Sequence, residues 1–215
     1  MGSEGLSVCG VSTQLERSEW SIPALAVDAD DAVLARRAAD GDLPSFEFLV
    51  RRYSDRVFAL ALRMLGDRGE AEDATQEAFI KAWKAMDTLS EPAAVRTWIF
   101  RIAHHECLAV LRKRKSRSTT AVADIPEAHA VAVGSAQQDA QTQPERATES
   151  SHAADALRAA LARLPDKQRA VWLLAEVDGL SYAEIGRVVG SSEQAVRGRL
   201  SRARATLAGV MQPWR

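Results

Sequence analysis

Cysteine is nearly absent: the chain has two, Cys9 and Cys107, and neither has a partner at CxxC or CxxH spacing. That excludes a disulfide framework and a finger-type zinc site, and it fits a reducing, cytoplasmic setting. Long hydrophobic runs are lacking as well. The longest apolar stretches, such as Val57 to Leu62, fall far short of the roughly 20 residues that cross a bilayer, so no membrane insertion is expected. Leu6-Ser7-Val8-Cys9 has the outline of a lipoprotein cleavage site, but no basic region or long apolar segment precedes it, and it reads as coincidence. Catalytic signatures are missing too, with no glycine-rich phosphate loop, no nucleophile elbow and no acid, base and nucleophile that fall in one place. His104 and His105 point about 100° apart on a helix and cannot clasp one metal. His104 and Cys107 could face one another, yet two ligands make no zinc site. No enzyme activity, metal or cofactor is expected.

What is present is apolar material for one core or two small ones, with 47% of 215 residues hydrophobic and only 6% aromatic. The formal net charge of −1 conceals segregation. By segment the net charge is −6 over residues 1–50, +5 over 51–118, −5 over 119–157 and +5 over 158–215. Two basic blocks alternating with two acidic ones are compatible with a nucleic-acid binder.

Residues 1–27 mix Gly, Ser, Glu and scattered apolar side chains without a period, which predicts a disordered N-terminal extension. From Asp28 to Arg117 the pattern is helical. Asp42 is placed to cap a helix with Pro44 in its first turn, and Gly66 ends it. A second helix spans roughly Arg68 to Met86. Its apolar stripe of Ala71, Ala74, Ala78, Ala82/Trp83 and Met86 leaves Asp73, Gln76, Glu77, Lys81 and Lys84 opposite. A third runs from after Pro92 to about Arg114, with Phe100, Ala103, Cys107, Val110 and Leu111 inward and Trp98, Arg101, His105, Ala109 and Arg112 on another face. Residues 118–152, rich in Ala, Gln, Thr and Ser, predict a flexible linker. Helical period returns from Ala153 to about Met211, through Leu157, Leu161 and Leu164. Ser181 and Glu184 form a capping box opening Tyr182 to Val188, Gly190 supplies a turn, and Ser191 with Gln194 opens a last helix ending near Val210. The expected fold is all-α: two small helical domains, 28–117 and 153–211, on a tether.

Three features point toward partners, each with an ordinary alternative. The short helix, turn and longer helix bearing Arg197, Arg199, Arg202 and Arg204 form a helix-turn-helix pattern whose second helix suits a major groove, or else a plain hairpin with a solvated arginine face. The run Arg112-Lys113-Arg114-Lys115 with Arg117, preceded by Trp98 and Phe100, suits opened nucleic acid, or else is core aromatics plus cations favoured at a helix C-terminus. Asp73, Gln76 and Glu77 read by themselves as a solvated face.

The order of these pieces resembles the extracytoplasmic-function (ECF) group of the sigma-70 family of bacterial RNA polymerase sigma factors. Asp28 to Arg117 is similar to the region two domain and Ala153 to about Met211 to the region four domain, with nothing matching region three. The stretch from Ala71 to Phe79 is similar to the polymerase-binding segment, that from Arg96 to Ala103 with the basic cluster to the promoter-opening helix, and Gly179 to Gly186 with Val196 to Arg204 to the two helices of region four. The resemblance implies a promoter-specificity subunit in which Asp73, Gln76, Glu77 and Phe79 bind core polymerase. It implies that Trp98, Arg101, His105, Ala109, Arg112 and Lys113 engage the minus-ten element, duplex and opened non-template strand. Arg197, Gly198 and Ser201 would read the minus-thirty-five element, with Arg199, Arg202 and Arg204 mostly on phosphates or the polymerase flap. It further implies an anti-sigma factor as partner.

This sequence departs from the family pattern at several of those positions. His105 and Ala109 stand where many members have Asn and Asp or Asn. Gly198 lacks a hydroxyl often found there, and Ser201 replaces a larger residue. Trp98 is followed by Ile99 where housekeeping factors have a second Trp, which in this group goes with weaker melting and stricter promoter choice. The alternative function is a stand-alone helix-turn-helix regulator that binds duplex DNA without polymerase.

Overall fold

A computed structural model describes the backbone of residues 30–121 and 144–210 and the side chains of 30–117 and 154–210. The expected extension at 1–27 and most of the expected linker, residues 122–143, lie outside the described residues. Eight α-helices follow in order among those described: α1 Asp31–Ala39, α2 Leu43–Leu65, α3 Arg68–Lys84, α4 Val95–Ala121, α5 Pro144–Arg163, α6 Asp166–Glu176, α7 Tyr182–Val189 and α8 Glu193–Val210. Short 3-10 turns at Met86–Thr88 and Pro92–Ala94 lead from α3 into α4. The all-α architecture read from the sequence is the one observed, and no strand occurs among the described residues.

Local chemistry explains the boundaries. Pro44 lies in the first turn of α2, where its missing N–H has no helical partner to lose. Asp42 precedes α2, but its carboxylate accepts from the Ser45 hydroxyl at 2.5 Å rather than from a backbone N–H. Asp67 caps α3 by accepting from the Glu70 amide at 2.8 Å. At α7 the expected capping box is complete, with Ser181 Oγ accepting from the Glu184 amide and the Ser181 amide donating to the Glu184 carboxylate at 2.8 Å. The last helix differs from expectation by one residue: Ser192, not Ser191, accepts from the Ala195 amide, at 3.3 Å. Ser191 Oγ instead accepts from Arg199 Nη1 at 2.7 Å, so a tertiary contact decides which of two adjacent serines is left to cap. The segment 118–152 carries helix at both ends, because Pro144 suits a first helical turn and the following Glu, Arg and Ala are good helix formers.

The first half packs α2, α3 and α4 around Leu49, Val57, Met64, Ile99 and Phe100, with the alanine stripe of α3 allowing close approach. The second half packs α6 and α8 with α7 across them, around Leu173, Leu174, Ile185 and Leu200. The halves also touch: α7 lies on α4 and α6 on α2, and the buried apolar residues of both form one continuous cluster. Arg169 of α6, 9% exposed, is the main polar tie. Its guanidinium donates to the carbonyls of Leu161, Ala162 and Leu164 at the end of α5 and to the Met64 carbonyl at the end of α2, at 2.6–3.1 Å. One cation thus satisfies helix-terminal carbonyls from both halves.

Candidate polymerase and nucleic-acid interfaces

The face of α3 forms because its other side is almost all alanine. Ala71, Ala74, Ala78 and Ala82 are buried, which turns Asp73, Gln76 and Glu77 outward, and all three are exposed. Phe79 is placed differently from those three: at 8% exposed it belongs to the core and supports the face from beneath. Ile80, not singled out from the sequence, is 39% exposed beside Glu77. Its signal was an apolar residue interrupting the polar stripe. Lys81 reaches from this face to Glu77 at 3.5 Å and to Glu106 of α4 at 2.7 Å.

Between α3 and α4 runs a groove of about 290 Å³ with Glu70, Asp73 and Glu77 on one side and Ala109, Lys113 and Arg117 on the other. The face of α3 that the resemblance assigns to polymerase and the face of α4 that it assigns to the promoter therefore share an edge. On α4, Arg101, His105, Ala109, Arg112 and Lys113 are exposed and Trp98 is half-buried against the core. Phe100, Ala103 and Cys107 point inward, as the periodicity requires, while Val110 and Leu111 are partly buried. Burial, then Arg101, pulls His105 below its usual pKa; near neutral pH it acts as an uncharged donor or acceptor rather than a cation.

The basic run at the end of α4 is divided by tertiary contacts. Arg114 donates to the Leu65 carbonyl at 2.8 Å and pairs with Glu70 at 2.5 Å. Lys115 pairs with Asp166 at 2.8 Å. Arg112 donates to the carbonyl of Leu108 in its own helix, at 3.3 Å, and it and Lys113 lie on the outer surface.

On α8, Val196, Leu200, Ala203 and Leu207 are buried, so Arg197, Ser201 and Arg202 face out and Gly198 is half-buried between them. Gly190, at φ +64°, and the close seating of α7 at Gly186 make the turn tight. Tyr182 of α7 lies under the Arg197 guanidinium, 5.6 Å from ring centroid to Cζ, and Glu193 pairs with the same arginine at 3.7 Å. These contacts aim Arg197 without burying it. Arg199 is held by Ser191 and Arg204 by Glu176 at 2.6 Å. Among the described residues no group of three or more His, Cys, Asp or Glu is arranged to hold a metal, and no helix is long and apolar enough to cross a membrane.

Residues 49–117 match the family described as Sigma-70 region 2, and residues 154–207 the one described as Sigma-70, region 4. The chain is 33% identical to the ECF RNA polymerase sigma-E factor of Escherichia coli K12 over 183 residues, 85% of this chain and 95% of the relative. It is 32% identical to the RNA polymerase sigma-H factor of Pseudomonas aeruginosa, over 85% of this chain and 94% of that one. Among solved structures it is similar to CnrH in complex with the cytosolic domain of CnrY. That likeness has a TM-score of 0.61 and 26% identity and covers 86% of this chain and 99% of CnrH. The sigma factor RpoE of Bartonella quintana, solved with the anti-sigma factor NepR, shares the fold at a TM-score of 0.61 and 23% identity, over 78% and 96% of the two chains.

Proposed function

This chain belongs to the ECF group of the sigma-70 family, whose members bind core RNA polymerase and direct promoter-specific initiation, and we propose that it does so through the three surfaces described above. Residues 28–117 form the region two-like domain, 153–211 the region four-like domain, 118–152 their linker and 1–27 an extension. Asp73, Gln76 and Glu77 dock on core polymerase, with Phe79 holding α3 in place. Arg101, Arg112 and Lys113 hold backbone phosphates of the minus-ten element while Trp98 offers a ring to an unstacked base, and His105 and Ala109 occupy positions where base contacts arise. On α8, Arg197, Gly198 and Ser201 face the minus-thirty-five element and Arg202 its phosphates. Arg199 and Arg204 chiefly brace the helix-turn-helix. The protein works in the cytoplasm without catalysis of its own. An anti-sigma factor is its expected inhibitory partner: the sigma factor RpoE of Bartonella quintana, which shares the fold, was solved bound to the anti-sigma factor NepR.

The observation that carries this reading is the exposed trio on α3, which a regulator binding only duplex DNA has no use for. Double charge reversal, Asp73→Lys with Glu77→Lys, is expected to weaken binding to bacterial core polymerase at least tenfold in a native-gel titration, with the circular dichroism spectrum unchanged. Core binding equal to wild type would remove α3 from the interface. Specific duplex binding by a wild-type protein that never shifts core polymerase would favour the stand-alone regulator.

A further inference from the structure

The outward stripe of α8 begins one turn before the residues considered so far. Gln194 is exposed and lies three residues ahead of Arg197, four ahead of Gly198 and seven ahead of Ser201, all on the side opposite buried Val196, Leu200 and Ala203. In a helix-turn-helix the N-terminal residues of the second helix meet base edges. The neighbouring polar groups already have internal work: Glu193 pairs with Arg197, Ser192 caps the helix, and Ser191 holds Arg199. The Gln194 amide makes no hydrogen bond within the described residues, so its donor and acceptor are both available to a ligand.

We propose that Gln194 is a specificity-determining residue for the upstream promoter element, reading adenine. The inference rests on the sigma-factor reading and extends it to a side chain that reading did not include. A glutamine amide can accept from adenine N6 and donate to N7 as a bidentate pair in the major groove, a match no other base offers. Gln194 and Arg197 are separated by about 4.5 Å along the helix axis, close to one base-pair step of about 3.4 Å. Arg197, aimed by Tyr182 and Glu193, suits a guanine. The adenine therefore lies one or two base pairs from that guanine. Gly198 adds no side chain on this face, where the Arg202 guanidinium rests 3.6 Å from the position of a β-carbon.

The test is in vitro transcription by the full chain with bacterial core polymerase on promoters whose upstream element is randomised, with transcript starts sequenced. Wild type selects an adenine beside or one removed from a guanine. Gln194→Ala is expected to lose that preference, by roughly tenfold to a hundredfold, at that position only, with melting temperature and core binding unchanged. Gln194→Glu is expected to move the preference to cytosine, whose N4 amino group a carboxylate accepts. A motif left intact by Gln194→Ala, or the loss of a preference for another base, overturns the proposal. Wild-type protein giving no polymerase-dependent starts overturns the sigma-factor reading and this inference with it; that outcome is distinct, because it precedes any comparison of variants.

Discussion

His104 is 4% exposed, and its Nδ1 is buried without a hydrogen-bond partner among the described residues. Burial first, and the neighbouring His105 second, push its pKa down to about 4. A histidine that stays neutral in the fold but accepts a proton near pH 6.5 when unfolded contributes stability that is whole above pH 6.5 and lost as the pH falls toward 4. At about 1.4 kcal/mol per pKa unit the loss is on the order of 3 kcal/mol. Urea unfolding of wild type and His104→Leu at pH 7 and pH 4.5 is expected to show the stability difference shifting toward the variant by on the order of 2–3 kcal/mol. The comparison cancels every carboxylate common to both proteins. A difference that does not change with pH would mean that His104 takes up its proton inside the fold. The sequence placed His104 on the helix, but its burial depends on packing and not on its neighbours in the chain. Phe79 carries the same lesson: its motif groups it with the exposed Gln76 and Glu77, while packing puts it in the core.

At the scale of the elements, the helix-turn-helix depends on how closely α7 approaches the chain leading into α8. A β-carbon at Gly186 would lie 2.6 Å from the Ser191 carbonyl oxygen, which is backbone and has little room to retreat. Gly186→Ala is therefore expected to destabilise this unit by about 1–3 kcal/mol through overpacking, despite alanine's better helix propensity. Thermal unfolding followed by circular dichroism would show it as a lowered midpoint. An unchanged or raised midpoint would mean that the α7–α8 turn yields at little cost. Most elements were legible because their signals are local: the Ser181/Glu184 box, Gly66 and Gly190 at helix ends, the alanine stripe of α3 and the inward Phe100, Ala103 and Cys107. The misses have non-local causes. Ser192 caps α8 because Arg199 occupies Ser191. Arg114 and Lys115 look like free cations in the sequence but serve Glu70, Leu65 and Asp166. Even α1, which the pattern did not separate, is docked by Asp31 accepting from Tyr53 and Arg52, more than twenty residues away in the chain.

For the whole molecule, the sequence predicts two units on a tether, and nothing in either unit's periodicity signals that they meet. They meet at Asp178, in the turn between α6 and α7, where Arg56 of α2 donates to its carbonyl at 2.6 Å and Arg96 of α4 donates to the same oxygen. Arg187 approaches Glu91 at 3.9 Å, and Lys115 and Arg169 add the ties already described. The halves share a continuous apolar cluster, and the charged ties at its edge are the part of the contact that water can replace. Removing both donors with Arg56→Ala and Arg96→Ala is expected to raise the radius of gyration measured by solution scattering and to split one unfolding transition into two. The Asp178 side chain sets a pH dependence. Burial raises its pKa to about 6, against the opposing pull of Arg56 and the other arginines. The packed form therefore holds a proton between about pH 4 and 6 that the separated form, near the ordinary value, releases; packing strengthens as the pH falls through 6 and weakens as it rises. This sign is opposite to that of His104, which acts on the first half's own core. Solution scattering between pH 7.5 and 5 would show greater compaction of wild type at the lower pH and none of that change in Asp178→Asn, which keeps the carbonyl that both arginines use. Equal compaction in the variant would place the proton elsewhere.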